Sequence, residues 1–302
     1  MHVLSGRIHL VIALLLLPVQ TAADDADLRD ALKLGASTTL SADITAHEAA
    51  LGNVMDGFGH VNLYGNGLYL ASRSRESMAR GWAALSVREY HDDPSGVATR
   101  LMMGYDFPLL QHSRLGFSAG FAKANLDTGR EIESRSFSFG PYLKTRIGDK
   151  LKLKSWMNVA QPVYRYSGGS TRAMRVGGGT KATLSDRIGG IKMSSSAALS
   201  MSHQFTPSAG SLDGFEISNL YSSISARATL NPDGHFKPYF DVGVTQGYWR
   251  NDSSFGDYST PRFATGFQWS HKKRSLTLQI DGSHVFDPTL PVALTSNFRL
   301  SF

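Results

Sequence analysis

The last eleven residues, Val292-Ala293-Leu294-Thr295-Ser296-Asn297-Phe298-Arg299-Leu300-Ser301-Phe302, decide how the rest of the chain is read. Val292, Leu294, Phe298, Leu300 and Phe302 share one parity; Ala293, Thr295, Asn297, Arg299 and Ser301 share the other. Ser296 is the one break. Side chains alternate across a strand, so this stretch has one apolar and one wet face. It also ends on an aromatic residue, hydrocarbon that a strand in water would rarely leave exposed. Two readings stand at this point: a lipid-facing membrane strand, or the half-buried last strand of a soluble β-domain.

Composition narrows the choice. The chain has 302 residues, room for one large β-domain or two smaller ones. Hydrophobic residues make up 41%, yet no apolar run beyond the amino terminus approaches the ~20 residues that a spanning helix needs. A helical membrane protein is therefore excluded. With 30 glycines and 31 aromatic residues, the composition suits strands joined by many turns. There are no cysteines, which removes disulfides, thiolate metal sites and cysteine nucleophiles and suits passage through an oxidising periplasm. The formal charge of +6 falls to about +5 if the leader carrying Arg7 is removed. The basic residues are spread along strand-like segments, with one short cluster at His271, Lys272, Lys273 and Arg274, so no nucleic-acid partner is expected.

Residues 1–23 read as a secretory signal peptide: Arg7 in the n-region, an apolar core from Leu10 to Val19, and small residues Thr21, Ala22 and Ala23 before Asp24. Residues 24–81 form an amino-terminal segment, read as a lumen plug or a periplasmic part. Two helices are expected there, Asp27 to Leu34 ended by Gly35 and Ala42 to Met55 capped by Ser41. Val61 to Leu70 is β-like but holds Gly65 and Gly67, and the sequence leaves open whether 59–73 adds a strand. Arg73 to Arg80 is charged and compatible with a helix.

From Trp82 to Phe302 the alternation is regular. Leu85 and Val87, then Leu101, Met103 and Tyr105, then Phe117 and Phe121, then Phe137 and Phe139 mark successive apolar faces. The run Gly177 to Gly179 weakens one strand. About twelve strands result, an even count, as bacterial outer-membrane barrels require. Counting back from a periplasmic carboxyl terminus puts the connections at Gln111, Gly148, Asp186, Asn231 and Lys272 on the periplasmic side. Those at Asp92, Asp127, Ser167, Ser208, Asn251 and Pro288 fall outside, including the two longest clear loops, near Ser208 and Asn251. The fold class is therefore all-β, an antiparallel transmembrane barrel over 82–302, with a partly helical amino-terminal segment.

Several stretches carry a resemblance to a known family. Phe298, Leu300 and Phe302 resemble the carboxyl-terminal insertion signal of outer-membrane barrels. Gly104-Tyr105-Asp106, Leu115-Gly116-Phe117-Ser118-Ala119-Gly120-Phe121, Ser136-Phe137-Ser138-Phe139-Gly140-Pro141-Tyr142 and Lys237-Pro238-Tyr239-Phe240 resemble, in order and spacing, the β-domain of autotransporters, the type V secretion translocators. The resemblance implies a twelve-stranded barrel threaded by an amino-terminal helix. The chain departs from the family upstream, where residues 24–81 hold no β-helix repeat and no protease-like motif.

The apolar parity would face lipid and the other parity the lumen. That makes Arg100, Lys154, Arg175, Lys181, Lys192, Arg227 and Arg299 candidate basic lumen residues, against fewer inward acids, Asp106, Asp241 and Asp281. Asp43, Glu48, Asp56 and Glu76 are candidate partners. No catalytic constellation is found: Ser202-His203 and Ser283-His284 are strand neighbours pointing to opposite faces, and the histidines lack metal-ligand spacing. No cofactor and no metal are expected. The expected function is an outer-membrane translocator-type or structural barrel without a substantial passenger. The alternatives are a porin-like channel for small solutes, anions among them, and, behind it, an outer-membrane hydrolase. Expected partners are outer-membrane lipid and lipopolysaccharide, the barrel-assembly machinery and periplasmic chaperones.

Overall fold

The computed structural model describes residues 3–56, 60–64, 67–72, 79–91, 93–210, 212–252, 254–282 and 293–301, with helix side chains described between residues 26 and 54. One long helix, α1 (Val3–Asp56), precedes the strands. These are β1 (His60–Tyr64), β2 (Gly67–Ala71), β3 (Arg80–Tyr90), β4 (Ser95–Leu110), β5 (Ser113–Asp127), β6 (Glu131–Ile147), β7 (Leu151–Tyr166) and β8 (Gly169–Arg172). There follow β9 (Met174–Ile188), β10 (Ile191–Thr206), β11 (Phe215–Thr229), β12 (Phe236–Asn251), β13 (Ser254–His271), β14 (Arg274–Asp281) and β15 (Ala293–Ser301).

Neighbouring strands pair antiparallel, and the ladder closes through β1 and β15, from His60↔Ser301 to Tyr64↔Asn297. β8 and β9 both pair with β7 and act as one strand interrupted at Ala173, so the wall has fourteen strands. The expected count was about twelve. The two additional strands are the β1–β2 hairpin, which the sequence left open because each strand is five residues long and glycines flank its turn. A hairpin adds two strands, so the count stays even, and the described connections at Gln111, Gly148, Asn231 and Lys272 share one end of the barrel. Closure is onto β1, where the sequence suggests the strand at Trp82.

The barrel is inside out relative to a water-soluble domain. Met103, Tyr105, Phe137, Phe139, Met157 and Ile224 are exposed on the outside, while Arg100, Ser118, Ser138, Asn158 and Gln204 are buried within. Pairing around the closed ladder satisfies most of the strand backbone, so the wall can meet hydrocarbon with its apolar parity. Phe298 is on this outer face; Phe302 lies outside the described residues.

One end of the barrel has tight turns, with His112, Gly148, Asn231 and Lys272 at positive φ; the other carries the connection 207–214. The connection at Asn251, expected to be long, is tight, because β12 and β13 stay paired up to Asn251↔Ser254. The Gly177 to Gly179 run stays in strand because the indole of Trp156, paired with Gly179, lies over it: a Cβ on Gly179 would sit 2.7 Å from Trp156 Nε1. Trp82 covers Gly104 and Tyr142 covers Gly116 in the same way.

α1 runs through Gly35 without a break, where two helices were expected. Gly35 faces the wall, with Ile132 3.6 Å from where a Cβ would stand. Packing of Leu28, Leu32, Leu40, Leu51 and Val54 inside the barrel outweighs the ~1 kcal/mol that a mid-helix glycine costs. The stretch 73–78 lies outside the described residues.

Candidate functional site in the barrel lumen

α1 fills the lumen and is held at three levels. At the loop end, Arg29 donates to Gly214 O at 3.0 Å and to Asp252 Oδ2 at 2.9 Å, and Lys33 Nζ sits 2.8 Å from the same carboxylate. At the tight-turn end, Arg80 donates to the carbonyl of Val54, and Asn53 on the helix hydrogen-bonds Asn62 on β1.

The central level is the most enclosed. Asp43 projects from α1 between two wall arginines. Its Oδ1 is 2.6 Å from Arg100 Nη1, and its Oδ2 accepts from Arg175 Nη1. The two arginine side chains are 5% and 2% exposed. Arg175 also donates to Gln204 Oε1 at 2.6 Å, to Tyr164 OH at 3.1 Å and to Thr39 Oγ1 at 3.1 Å. Arg100 reaches Ser138 Oγ at 3.2 Å. A buried charge pair is costly unless its remaining donors are also satisfied, and here they mostly are. One turn further on, His47 packs its ring 4.5 Å from that of Trp156, and Glu48 faces Ser200 and Lys181.

A second network, not foreseen from the sequence as a unit, fastens the wall beneath the helix. Asp106 Oδ2 is 2.7 Å from Arg80, and its Oδ1 accepts from Arg114 Nε at 2.6 Å. Tyr142 donates to Asp106 at 3.1 Å while accepting from Trp82 Nε1 at 2.7 Å. On sequence alone Arg80 falls in a charged, helix-compatible run and Arg114 in a turn. Strand parity extended one or two residues further turns both inward, toward Asp106.

Of the other basic residues singled out from sequence, Arg227 pairs with Asp241 at 2.6 Å and lies 4.4 Å over the Tyr239 ring. Lys154 and Lys181 are on the inward parity of β7 and β9. Lys192 and Arg299 are on the inward parity of β10 and β15, near the tight-turn end. These residues do not form one cluster; they are distributed along the lumen. Asp56 and Glu76 side chains lie outside those described. Ser202 and His203 face opposite ways, as expected: Ser202 is buried inside, and His203 Nδ1 is 2.9 Å from Ser218 Oγ on the neighbouring strand. Ser283 and His284 lie outside the described residues. Among the described residues, no group of three or more His, Asp or Glu side chains is placed to hold a metal ion.

Asp252 makes the outer clamp sensitive to acid. Burial pushes its carboxyl up. Hydrogen bonds from Lys33 and the Glu216 N–H, with the charges of Lys33 and Arg29, outweigh burial and leave it below the ordinary carboxylate value. A carboxyl lowered in the folded state stabilises above its unfolded pKa, about 3.9, and loses that contribution as pH falls through the folded value. Acidification below about pH 4 is therefore expected to speed proteolysis near Arg29 and Lys33 in the wild type. Asp252→Asn should show that faster cleavage already at neutral pH.

A closed antiparallel wall, apolar outside and polar inside, with a helix threaded down its lumen, defines a β-barrel of the bacterial outer-membrane type. No known family model and no curated protein sequence matches the chain. Its fold is similar to that of the β-domain of the Bordetella autotransporter Brka, at 12% identity over 74% of this chain and 99% of that one, with a TM-score of 0.51. Two further solved structures match more loosely. The translocator domain of the autotransporter NalP from Neisseria meningitidis is 10% identical over 87% of this chain and 95% of that one, with a TM-score of 0.48. The Ralstonia pickettii toluene transporter TbuX is 9% identical over 82% and 90%, with a TM-score of 0.44. At such identities the likeness is one of fold.

Proposed function

We propose that this chain is an outer-membrane barrel of translocator type that rests closed, with its amino-terminal helix retained in the lumen as a plug. The observation that carries the reading is the Asp43 clasp, a helix carboxylate held by Arg100 on β4 and Arg175 on β9, four strands apart in the wall. Helix direction supports it. The Arg29 end meets Asp252 at the loop end, and the Val54 end meets Arg80 at the tight-turn end, from which the chain enters β1. A chain exported leader-first reaches this arrangement when its amino-terminal segment passes through the pore that its own barrel encloses. The Brka β-domain, similar in fold, belongs to an autotransporter.

The leader at 1–23 and the outer-membrane location are part of the same proposal. An epitope inserted between Ala26 and Asp27 is expected to bind antibody on intact cells. Binding only after the outer membrane is permeabilised would place the helix the other way up and remove the translocator reading. A channel for small anionic solutes is the second reading, supported by the arginines along the lumen; it requires the helix to leave, and open-pore current from the unaltered protein would favour it.

A further inference from the structure

The outward face of the barrel changes character at one level on one side. Along the ladder of β5, β6, β7 and β8, Lys123 pairs with Arg135, Arg135 with Val163, and Val163 with Arg172. All four belong to the parity of Phe121, Phe137 and Val159, which faces outward. Three cations thus stand in one row across four neighbouring strands, roughly 14 Å from end to end at the spacing of strands. One step toward the tight-turn end, the outward face carries Phe121 and Phe137, and Met174 follows just past the break at Ala173, all exposed. One step toward the loop end, Glu133 and Arg165 pair on β6 and β7.

Glu133 gathers these cations. Its Oε1 is 3.2 Å from Lys123 Nζ and 2.7 Å from Arg135 Nη2, and its Oε2 is 4.0 Å from Arg165 Nη1. One carboxylate against Lys123, Arg135, Arg165 and the exposed Arg172 leaves the patch strongly positive. The other acids along these strands' outer ends, Asp127 and Glu131, stand four residues above Lys123 and Arg135, at the hairpin turn. The patch is local. Its row runs on into Thr99 on β4 and Val87 on β3, and past Ala173 the outward face turns to Met174 and Phe205. A cation on the lipid face is costly at mid-membrane depth and nearly free of cost at the interface. A cationic row directly above an apolar belt therefore marks the level of lipid headgroups, and its excess charge selects anionic ones.

We infer that this patch docks an outer-leaflet lipid that carries two phosphates, of the lipid A kind. One phosphate meets Lys123 and Arg135, the other meets Arg172, and the acyl chains run down over Phe121, Phe137 and Met174. Cations at both ends of the row suit a phosphate at each end of a disaccharide head, and the guanidinium fork matches phosphate oxygens in pairs. The inference rests on the proposed outer-membrane location with the loop end outside.

The test titrates the full chain, folded in detergent micelles, with lipid A and reads bound lipid by native mass spectrometry. Lipid A is expected to be retained in preference to its monophosphoryl form. Arg135→Gln combined with Arg172→Gln should weaken lipid A binding by about tenfold, one decade in affinity. Lys273→Gln combined with Arg274→Gln removes the same charge from exposed positions at the tight-turn end and should leave binding unchanged. Heat-modifiable gel mobility shows that each variant is folded. Equal binding of lipid A stripped of its phosphates, equally effective displacement by phosphatidylglycerol or by inorganic phosphate, or a folded Arg135→Gln, Arg172→Gln variant that binds as the wild type does would overturn the inference. The epitope between Ala26 and Asp27 separates two kinds of failure. If it is read on intact cells and lipid A does not bind, only this inference falls; if it is read only after permeabilisation, the loop end faces inward and the translocator reading falls with it.

Discussion

Asp43→Asn is expected to convert a quiet barrel into one that opens in bursts. The carboxylate is the only acid that Arg100 and Arg175 touch among the described residues, and both guanidinium groups are nearly inaccessible to solvent. Removing one partner of a buried ion pair leaves an uncompensated charge and costs about 3–5 kcal/mol, here with two arginines exposed to the loss. Such a term shifts the balance between docked and undocked helix by roughly two to four decades. Planar-bilayer recordings should show new conductance, and proteolysis within residues 36–46 should quicken. Asp43→Asn combined with Arg175→Gln should recover part of the closed state, because one stranded charge is then gone. Glu48→Gln, facing Ser200 and Lys181 at a less enclosed position, should change little. An Asp43→Asn barrel as quiet and as protease-resistant as the wild type would show that the clasp does not hold the helix.

The second large effect belongs to the wall itself. Asp106→Asn removes the buried carboxylate that Arg80 and Arg114 share, at a cost of the same order, about 3–5 kcal/mol. The readout differs. Asp106 ties β4 to β3, β5 and β6, so its loss should lower the temperature at which the folded gel band converts to the unfolded one. The helix loosens only indirectly, through the Arg80 contact to Val54. Tyr142→Phe should reproduce a smaller part of the effect, about 2 kcal/mol, since it removes the bond donated to the Asp106 carboxylate and the one accepted from Trp82 but keeps the ring over Gly116. A barrel that melts unchanged with Asp106→Asn would mean that the network is solvated and carries no structural load.

Much of this architecture is legible in the sequence, and the illegible parts have physical causes. Long strands such as β4, β5 and β6 announce themselves because ten or more residues of alternation separate lipid from lumen, and one-residue slips would turn every side chain over. Asp43 could be named as a partner for lumen arginines because acids are scarce on the inward parity. The β1–β2 hairpin was hidden because five alternating residues between glycines are too few for a period to show. Gly35 reads as a helix end because an isolated helix would end there; only the wall beside it makes continuity favourable. The glycine run at 177–179 looks weak as a strand until Trp156, from the next strand, fills the space. Local pattern carries the lipid-facing face well, since that face meets one uniform solvent. The inner face meets a particular helix, and which arginine meets which acid is set by register across strands far apart in the chain, as with Arg100 and Arg175 around one carboxylate.

The plug is the central claim, and single-channel conductance tests it most directly. The wild-type chain, reconstituted in a planar bilayer, is expected to be closed or nearly so. A variant lacking residues 27–56, with its leader and barrel retained, is expected to show a large, steady, voltage-independent current from a lumen that the helix no longer fills. Equal conductance in the two proteins would contradict the account, because a helix that can be removed without opening the pore is not what closes it.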